Sequence, residues 1–324
     1  MVKINSIKVS PSLINTSCAW SSNLTQLKEL YDSPYTGAVT TRSATLDGFP
    51  ETESNTVAFT RTTVSTINSF GYSPHPLAQY LSWVETILTT SDAPKKPFIV
   101  SIAASDPTTL RTMVQTIQSL RTKLNDTPEL STIAIELNTS CPNIHNAPPT
   151  GYTFPSLLPL LTVLKEEYAK DESLTIGLKL PPFVHRDQFL AVLDGIKDLC
   201  IPGEGDSVKC PFAFFTSTNT LGNSLLFPDQ TDGEETGEFA VPTALGGVAG
   251  DALHALSLGN VYTFSQLLNN PENALLKGIS IIGAGGVTSK EAAERMRKAG
   301  AAIVGSATLF GKEGVRAFEI IAGN

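Results

Sequence analysis

The sequence has few cysteines, a shortage of positive charge and no long apolar run, and each shortage excludes a class of protein. Its four cysteines, among 324 residues, are too few and too scattered for a disulfide scaffold, and none of them has the C-x-x-C spacing of a zinc site. With 31 acidic against 23 basic residues, the net charge of -8 argues against a surface for nucleic acid or anionic lipid. No window approaches the roughly 18 to 20 apolar residues of a membrane helix.

The N-terminus also lacks the basic and apolar regions of a signal peptide, because Met1 leads at once into a strand-like pattern. The four histidines, His75, His145, His185 and His254, are not spaced as a metal cluster, and the residues offer no argument for a Ser-His-Asp arrangement. We therefore expect a cytoplasmic protein with reduced cysteines that binds no metal, no nucleic acid and no membrane.

The chain alternates regularly between two patterns. Short β-branched apolar runs, typical of buried strands, are followed by longer segments whose apolar residues lie three and four positions apart, as in helices. Eight strands are predicted, over Ser12–Asn15, Ala38–Thr41, Phe98–Ala103, Thr132–Asn138, Ile176–Leu180, Phe212–Thr216, Ser280–Gly283 and Ala302–Gly305. Eight helices are predicted, over Asn23–Tyr31, Pro76–Leu88, Thr108–Lys123, Phe154–Ala169, Arg186–Leu199, Ala252–Leu268, Ser289–Ala299 and Glu313–Ile321.

Eight strand-helix units predict an α/β fold, a (β/α)8 TIM barrel formed as a single domain by residues 1–324, with its site at the C-terminal ends of the strands. A doubly wound open sheet is the alternative, and the barrel is favoured because no G-x-G-x-x-G fingerprint follows the first strand. Residues 47–66 and 221–250 interrupt the rhythm. We expect both to be loop or hairpin excursions over the C-terminal face, because long loops in compact domains usually cover or form binding sites.

A cluster of polar residues ends the fourth predicted strand. After the apolar run at 132–135 the chain reads Glu-Leu-Asn-Thr-Ser-Cys-Pro-Asn, which places Asn138, Cys141 and Asn143 at the expected site. Taken alone, the stretch also fits a buried strand whose asparagines cap turns and whose cysteine packs as a small hydrophobe. The rest of the pattern decides between these interpretations.

Two further features converge on the same end of the predicted barrel. The seventh and eighth strands end in glycine-rich turns, at 283–286 and 305–306, whose backbone N–H groups are suited to hold a phosphate. Lys179 lies within the apolar fifth strand just before a Pro-Pro step, and burying an ammonium group without a partner is costly. The lysine is therefore predicted to point into the site, where its charge is used.

Taken together, these motifs resemble the dihydroorotate dehydrogenases, in particular the soluble class that has a cysteine base and uses fumarate. The resemblance covers residues 11–321 and rests on motifs that occur in the family's order: Asn138-Thr139-Ser140-Cys141-Pro142-Asn143, Gly177-Leu178-Lys179-Leu180-Pro181-Pro182, Asn68-Ser69-Phe70-Gly71, Asn219-Thr220-Leu221-Gly222-Asn223 and the two glycine turns. It implies an FMN-dependent barrel enzyme of pyrimidine biosynthesis. Dihydroorotate would be oxidised to orotate, with fumarate as electron acceptor and a homodimer as the assembly.

The resemblance also implies a role for individual residues. Cys141 matches the base that removes a proton from C5 of dihydroorotate while hydride passes from C6 to flavin N5, and neighbouring donors are expected to lower its pKa. Lys179 matches the lysine at the flavin pyrimidine edge. The implied substrate-binding residues are Arg42, Asn68, Ser69, Phe70, Gly71, Tyr72, Asn138, Asn143, Asn219 and Thr220. The implied cofactor-binding residues are Ser17, Arg42, Ser43, Asn138, Lys179, Thr218, Gly250, Gly285, Gly286, Gly305 and Ser306.

The chain departs from the family pattern in several places. Arg42 stands where soluble members have lysine, and its planar guanidinium is not interchangeable with an ammonium group at a close site. Cys18 replaces a glycine, the stretch after Thr45 and the loop at 144–150 differ from the family's, and residues 200–210 look like an insertion. Two alternatives to the orotate reaction therefore stay open: a different dihydropyrimidine-like substrate, and a flavin-binding paralogue with a regulatory or binding role.

Overall fold

The structure is a computed structural model, and it describes residues 1–127, 131–141, 143, 150–203, 205, 207–233 and 237–324. The strands of these residues are β1 (Val2–Ile4), β2 (Ile7–Val9), β3 (Leu13–Asn15), β4 (Val39–Thr40), β5 (Val57–Phe59), β6 (Ser65–Asn68), β7 (Phe98–Ile102), β8 (Ile133–Asn138), β9 (Thr175–Leu180), β10 (Ile201–Pro202), β11 (Val208–Lys209), β12 (Phe214–Ser217), β13 (Leu221–Leu225), β14 (Leu245–Gly250), β15 (Ser280–Ala284) and β16 (Ile303–Ser306). The helices are α1 (Leu24–Asp32), α2 (Leu77–Thr90), α3 (Pro107–Lys123), α4 (Leu158–Lys170), α5 (Arg186–Lys197), α6 (Asp251–Asn269), α7 (Lys290–Ala299), α8 (Thr308–Glu313) and α9 (Arg316–Ala322).

Eight parallel strands form one sheet in the order β3-β16-β15-β12-β9-β8-β7-β4, which follows the chain around a barrel. These are the eight strands predicted from the sequence, each within two residues of its predicted ends. The pattern was readable because strands buried on both faces are near-continuous apolar runs. The (β/α)8 barrel is therefore confirmed, and the open doubly wound sheet is not observed.

Alternation along the strands divides the barrel interior into two zones. Toward the N-terminal ends the inward side chains are apolar, and they form a small core of their own with the β1–β2 hairpin. Toward the C-terminal ends the inward positions of β7, β8, β9 and β12 carry Ser101, Glu136, Lys179 and Thr216, all buried. The outward apolar residues pack against the helices in the larger core. The sequence thus closes one end of the barrel with hydrocarbon and lines the other with polar groups.

A side chain closes the barrel where β3 meets β4. Asn15 is fully buried; its amide Nδ2 donates to the Thr40 carbonyl oxygen at 2.6 Å, and its Oδ1 accepts from the Thr40 backbone N–H at 2.8 Å. One main-chain bond joins the same two segments, from the Gly37 N–H to the Leu13 carbonyl at 2.8 Å. The amide of Asn15 therefore takes the place of a missing pair of ladder hydrogen bonds.

The two predicted excursions form a single lid. Strands β5 and β6, from the first excursion, and β13 and β14, from the second, pair antiparallel in the order β13-β14-β6-β5. Residues about 180 positions apart become neighbours, for example Asn68 and Gly247. This four-stranded sheet is called the lid below.

The helices agree with the predicted ones except at two places. Residues 154–157, predicted as the start of the fourth helix, form a 3-10 helix before α4. The helix predicted over 313–321 is α9, but it begins three residues later: α8 ends at Glu313, Gly314 follows with a positive φ of 60°, and α9 begins at Arg316. A glycine in this backbone region ends a helix readily. The Asp106 and Ser289 side chains cap α3 and α7. None of the described helices is long and apolar enough to cross a membrane.

The Asn15 closure leads to a stability prediction. Asn15→Ala leaves the Thr40 N–H and carbonyl buried without partners, and each such group costs about 1 to 3 kcal/mol, so we expect the free energy of unfolding to fall by about 2 to 6 kcal/mol. Urea denaturation followed by circular dichroism measures it. The matched control is Asn269→Ala, which removes an exposed amide that bonds only within its own helix. Equal losses in the two variants would contradict the closure role.

Candidate active site

A cavity lies between the C-terminal ends of the barrel strands and the lid, with an empty volume of about 1000 Å³ that opens to solvent. It brings together nearly all of the residues that the sequence nominated. Those lining it are Ser17, Arg42, Ser43, Asn68, Phe70, Gly71, Tyr72, Asn138, Cys141, Asn143, Lys179, Thr218, Asn219, Thr220, Gly250, Gly285, Gly286, Gly305 and Ser306.

Ser69 is the nominated residue that does not line the cavity. Its hydroxyl donates to the Ser54 carbonyl at 2.6 Å and accepts from the Thr56 N–H at 2.9 Å, and the residue is 3% exposed. Ser69 therefore links the end of β6 to residues 54–56 of the first excursion. Its neighbours in sequence, Asn68 and Phe70, face the cavity.

Cys141 lies at the end of β8 under the lid. Its thiol donates to the Phe70 carbonyl oxygen at 3.8 Å. Burial raises the pKa of this thiol above its ordinary value, although the Asn143 backbone N–H and the charges of Lys179 and Arg42 oppose the shift. The neighbouring donors thus lower the pKa as expected, but burial outweighs them, and the net shift is upward. Partial loss of hydration disfavours the thiolate more than these three contacts favour it.

Asparagine amides connect the barrel to the lid beside this thiol. The Asn143 Nδ2 donates to the Phe70 carbonyl at 2.8 Å and to the backbone and side-chain oxygens of Asn68, both at 3.1 Å. Asn68 Nδ2 in turn donates to the Gly247 carbonyl at 3.0 Å. The loop after β8 and the two halves of the lid are thus held by one chain of amides. The altered loop at 144–149, with His145, lies outside the described residues.

Lys179 is 6% exposed and lines the cavity. Its Nζ donates to the Ser17 carbonyl oxygen at 3.1 Å. No acidic side chain among the described residues lies within ion-pair distance of it. Since an ammonium group has three N–H donors, this lysine keeps donor capacity for an electron-rich group in the cavity.

Arg42 is also buried, and its guanidinium is committed to the protein. It forms an ion pair with Glu51, donates to the Gly71 and Tyr72 carbonyls at 3.3 and 3.4 Å, and lies 5.2 Å from the centre of the Phe70 ring. Glu51 belongs to the first excursion. The arginine therefore ties the start of that excursion to the cavity floor, and its charge is neutralised locally.

The two glycine turns lie side by side at the cavity and are called the glycine cradle below. Gly285 and Gly286 have φ values of 114° and 68°, which side chains rarely adopt. A Cβ atom at Gly286 would lie 2.5 Å from the His254 Cβ and 2.7 Å from the Gly250 carbonyl oxygen. The Ser306 hydroxyl donates to the Val287 carbonyl at 2.8 Å and joins the turns after β15 and β16. Close backbone approach of this kind suits a phosphate group.

Sequence reasoning missed a second set of lining residues. Cys18 and Trp20 follow β3, and the Trp20 ring packs so closely on Gly311 that a Cβ there would lie 2.3 Å from it. Their signal was their position directly after a strand that ends at the site, and Cys18 also stood out as a replacement of the family's glycine. The other missed residues are Thr16, Ala19, Val57, Thr66, Ala249, Leu253, Ala284, Val287, Thr288, Ala307 and Thr308. Most are small or apolar, and such residues carry no chemical signature in a sequence.

The donor set of the cavity fits a flavin mononucleotide. A glycine cradle for a phosphate, a buried ammonium group with spare donors and a mixed polar and apolar wall lie within one cavity. Within the part of the chain that the structure describes, no three His, Cys, Asp or Glu side chains come together as metal ligands. The four cysteines are free thiols.

Comparison with known proteins gives one family. The family model described as dihydroorotate dehydrogenase matches residues 2–324. A protein of Streptococcus uberis named "Putative dihydroorotate dehydrogenase A (fumarate)" is 29% identical over 313 residues, covering 94% of this chain and 85% of the relative. Relatives with the same name in Streptococcus pyogenes serotype M5 and Streptococcus equi subsp. equi are 30% and 31% identical over 283 and 292 residues, covering 86% and 88% of this chain and 77% and 79% of theirs.

The raised pKa of the half-buried Cys141 thiol predicts slow alkylation at neutral pH. Only the thiolate reacts with iodoacetamide, so a raised pKa makes the rate climb about tenfold per pH unit from about pH 7 to pH 9 without levelling. Mass spectrometry of the Cys141 peptide over a pH series measures the rate. A free cysteine peptide serves as control, with its curve bending near about pH 8.5. A plateau for Cys141 below that point would contradict the raised pKa.

Proposed function

Because this chain belongs to the dihydroorotate dehydrogenase family, a family of flavin-dependent oxidoreductases, we propose that it uses FMN to oxidise (S)-dihydroorotate to orotate with Cys141 as the base. The observation that carries the proposal is the arrangement in one cavity of the Cys141 thiol, the Lys179 ammonium group, the Asn143 and Asn219 amides and the glycine cradle. The thiol supplies a base, and the lysine supplies a positive charge. The amides would recognise the substrate ring, and the glycines would bind the phosphate of the cofactor.

The residues that would hold FMN divide by the parts of the cofactor. Gly285, Gly286, Gly305 and Ser306 would hold the phosphate through backbone N–H groups, and Lys179 would donate to the electron-rich pyrimidine edge. When bound, FMN would supply the hydride acceptor, its N5 atom. A cation at that edge stabilises the negative charge that two-electron reduction places on the ring.

Cys141 acts on the substrate as a thiolate. It takes the proton from C5 of dihydroorotate, the hydride leaves from C6, and the electron pair of the C5–H bond forms the C5–C6 double bond of orotate. Because burial raises the pKa of this thiol, the reactive thiolate is a minor species at neutral pH, and the same raised pKa makes it a stronger base. The rate of the reductive half-reaction should therefore rise with pH up to that pKa.

The electron acceptor, the assembly and the setting follow from the resemblance. We propose fumarate as the acceptor, because the relatives carry it in their names, and a homodimeric, cytoplasmic enzyme of pyrimidine biosynthesis. Arg42 favours one alternative substrate: its charge is already neutralised by Glu51, which suits a dihydropyrimidine ring without a carboxylate.

The reaction predicts that Cys141 controls flavin reduction. In FMN-loaded protein without oxygen, dihydroorotate should bleach the visible flavin absorbance, and Cys141→Ala should slow the bleaching by about 10² to 10⁴-fold, the usual contribution of a general base, with FMN still bound. Cys200→Ala, which removes a distant thiol, is the matched control and should bleach at the unaltered rate. Bleaching by dihydrouracil alone would transfer the assignment to the carboxylate-free ring. Unaltered bleaching in Cys141→Ala would refute the base role.

The glycine cradle predicts the cofactor's phosphate site. In Gly286→Ala the added methyl group meets the His254 Cβ and the Gly250 carbonyl in a backbone conformation that alanine rarely adopts, so FMN should bind at least about tenfold more weakly, as expected when a phosphate loses its backbone donors. Quenching of FMN fluorescence by the apoprotein measures the affinity. Gly278→Ala, at an exposed glycine with nothing within 4 Å of the added Cβ, is the control. Equal FMN affinities in both variants would place the phosphate elsewhere.

A further inference from the structure

One buried charged group has no part in the proposed chemistry. Glu136, inward on β8, is 2% exposed and does not line the cavity. Its carboxylate accepts from the Ser101 hydroxyl at 3.1 Å and from the Thr216 hydroxyl at 2.6 Å. No basic side chain among the described residues forms an ion pair with it. A carboxylate buried in this way is expensive, which raises the question of what it does there.

The carboxylate fixes the direction of the next hydrogen bonds. A carboxylate only accepts, so the single hydroxyl proton of Ser101 is used on Glu136. The Ser43 hydroxyl, 2.8 Å from the Ser101 oxygen, must therefore donate to Ser101. With its own proton used, Ser43 can only accept from its two other neighbours, the Asn138 Nδ2 at 2.9 Å and the Ser17 hydroxyl at 3.0 Å. All hydrogen-bonding positions of Ser43 are then filled.

The same direction passes into the amides that line the cavity. Because Asn138 presents Nδ2 to Ser43, its Oδ1 faces the other way and accepts from the Asn219 Nδ2 at 3.0 Å. The Asn219 Nδ2 also donates to the Ser140 carbonyl at 2.9 Å, and its Oδ1 accepts from the Thr220 N–H at 2.9 Å. If Ser43 donated instead, its proton would face the Asn138 Nδ2, whose partner oxygen is held by the Asn219 Nδ2 and by the Ser140 backbone N–H at 3.3 Å. The hydroxyl chain from Glu136 therefore keeps an acceptor in front of the Asn138 Nδ2, in the same sense as the backbone partners of both amides.

We propose that Glu136 is a positioning residue that acts through Ser101 and Ser43 to hold the Asn138 and Asn219 amides, and the Ser17 hydroxyl, in one orientation. In that orientation Ser17 and Asn219 present oxygen lone pairs to the cavity, because their donors are used elsewhere. Acceptors at these points select a ligand ring that carries N–H groups. This rests on the proposed function, since the rings of dihydroorotate, orotate and the flavin all carry them.

The chain offers a test that separates this role from simple structural support. Ser101→Ala cuts the path to Ser43, and Thr216→Val removes the carboxylate's other bond but leaves that path intact. Both lose one hydroxyl to the same carboxylate, and neither residue lines the cavity. In Ser101→Ala, the binding of FMN, and of orotate to the FMN-loaded protein, should weaken by at least about tenfold, as expected when a buried hydrogen-bond network is broken. Thr216→Val should leave both affinities within about twofold of those of the unaltered protein.

Glu136→Leu completes a double-mutant cycle. Leucine accepts no hydrogen bond, so the Ser101 proton is no longer held on residue 136 and the variant should bind FMN and orotate more weakly. The double variant with Ser101→Ala should bind them no more weakly than the single variants, because both substitutions interrupt the same chain of hydrogen bonds. The rate of Cys141 alkylation should be unaltered in all of these variants. If Glu136→Leu fails to fold, the comparison of Ser101→Ala with Thr216→Val decides alone.

FMN fluorescence quenching and the flavin absorbance change on adding orotate give the two dissociation constants, and thermal melting of the apoproteins gives stability. Equal weakening by Ser101→Ala and Thr216→Val, additive effects in the double variant, or unaltered affinity in Ser101→Ala would each overturn the proposal. Failure of the proposed function is distinguishable, because the unaltered protein would then bind FMN and neither bind orotate nor be bleached by dihydroorotate, while the FMN constants still test Glu136.

Discussion

The cost of burying charge at one end of the barrel is the constraint on which the site depends. Lys179 and Glu136 lie on neighbouring strands inside the barrel, where a polar group without a partner costs more than the folded state can easily spare. Glu136 is satisfied by the hydroxyl groups of Ser101 on β7 and Thr216 on β12, whereas Lys179 has, among the described residues, one hydrogen-bond partner, the Ser17 carbonyl. The hydrogen-bonding capacity of the carboxylate is therefore used within the protein, whereas the lysine ammonium group keeps N–H donors that a ligand can use. The apolar layer toward the N-terminal ends of the strands closes that end of the barrel to water, so that the polar groups can be reached only from the cavity.

The first excursion meets this polar layer through amides and one ion pair. Asn143 bonds to Asn68 of β6 and to Phe70 just after it, and Arg42 bonds to Glu51. The loop after β8 and the segment after β4 therefore both contact the excursion that carries β5 and β6. Cys141 lies in that loop, and desolvation there raises its pKa against the opposing contacts of Asn143, Lys179 and Arg42.

The sequence allowed the barrel and most of the cavity to be predicted, for a reason that also marks the limit. Buried parallel strands are apolar runs, and a glycine, lysine or asparagine at the end of such a run falls at the same mouth whatever the details of packing. Pairing of β6 with β14 was not readable, because it joins segments about 180 residues apart. The partner of Arg42, the inward use of the Ser69 hydroxyl and the net direction of the Cys141 pKa shift all depend on burial in three dimensions. The break between α8 and α9 was marked in the sequence by Gly314, which the helical period concealed.

The seam between β3 and β4 has a consequence for how this barrel can vary by mutation. Between the other neighbouring strands of the eight-stranded sheet the ladder is made by main-chain groups, which no substitution removes except one to proline. At this seam the closing bonds belong to the Asn15 side chain, and the one main-chain bond depends on Gly37, where a Cβ would lie 1.8 Å from the Pro11 carbonyl oxygen. Closure of the barrel at this seam therefore depends on the identity of two residues, Asn15 and Gly37. A single base change in either codon can remove the bonds that close the barrel.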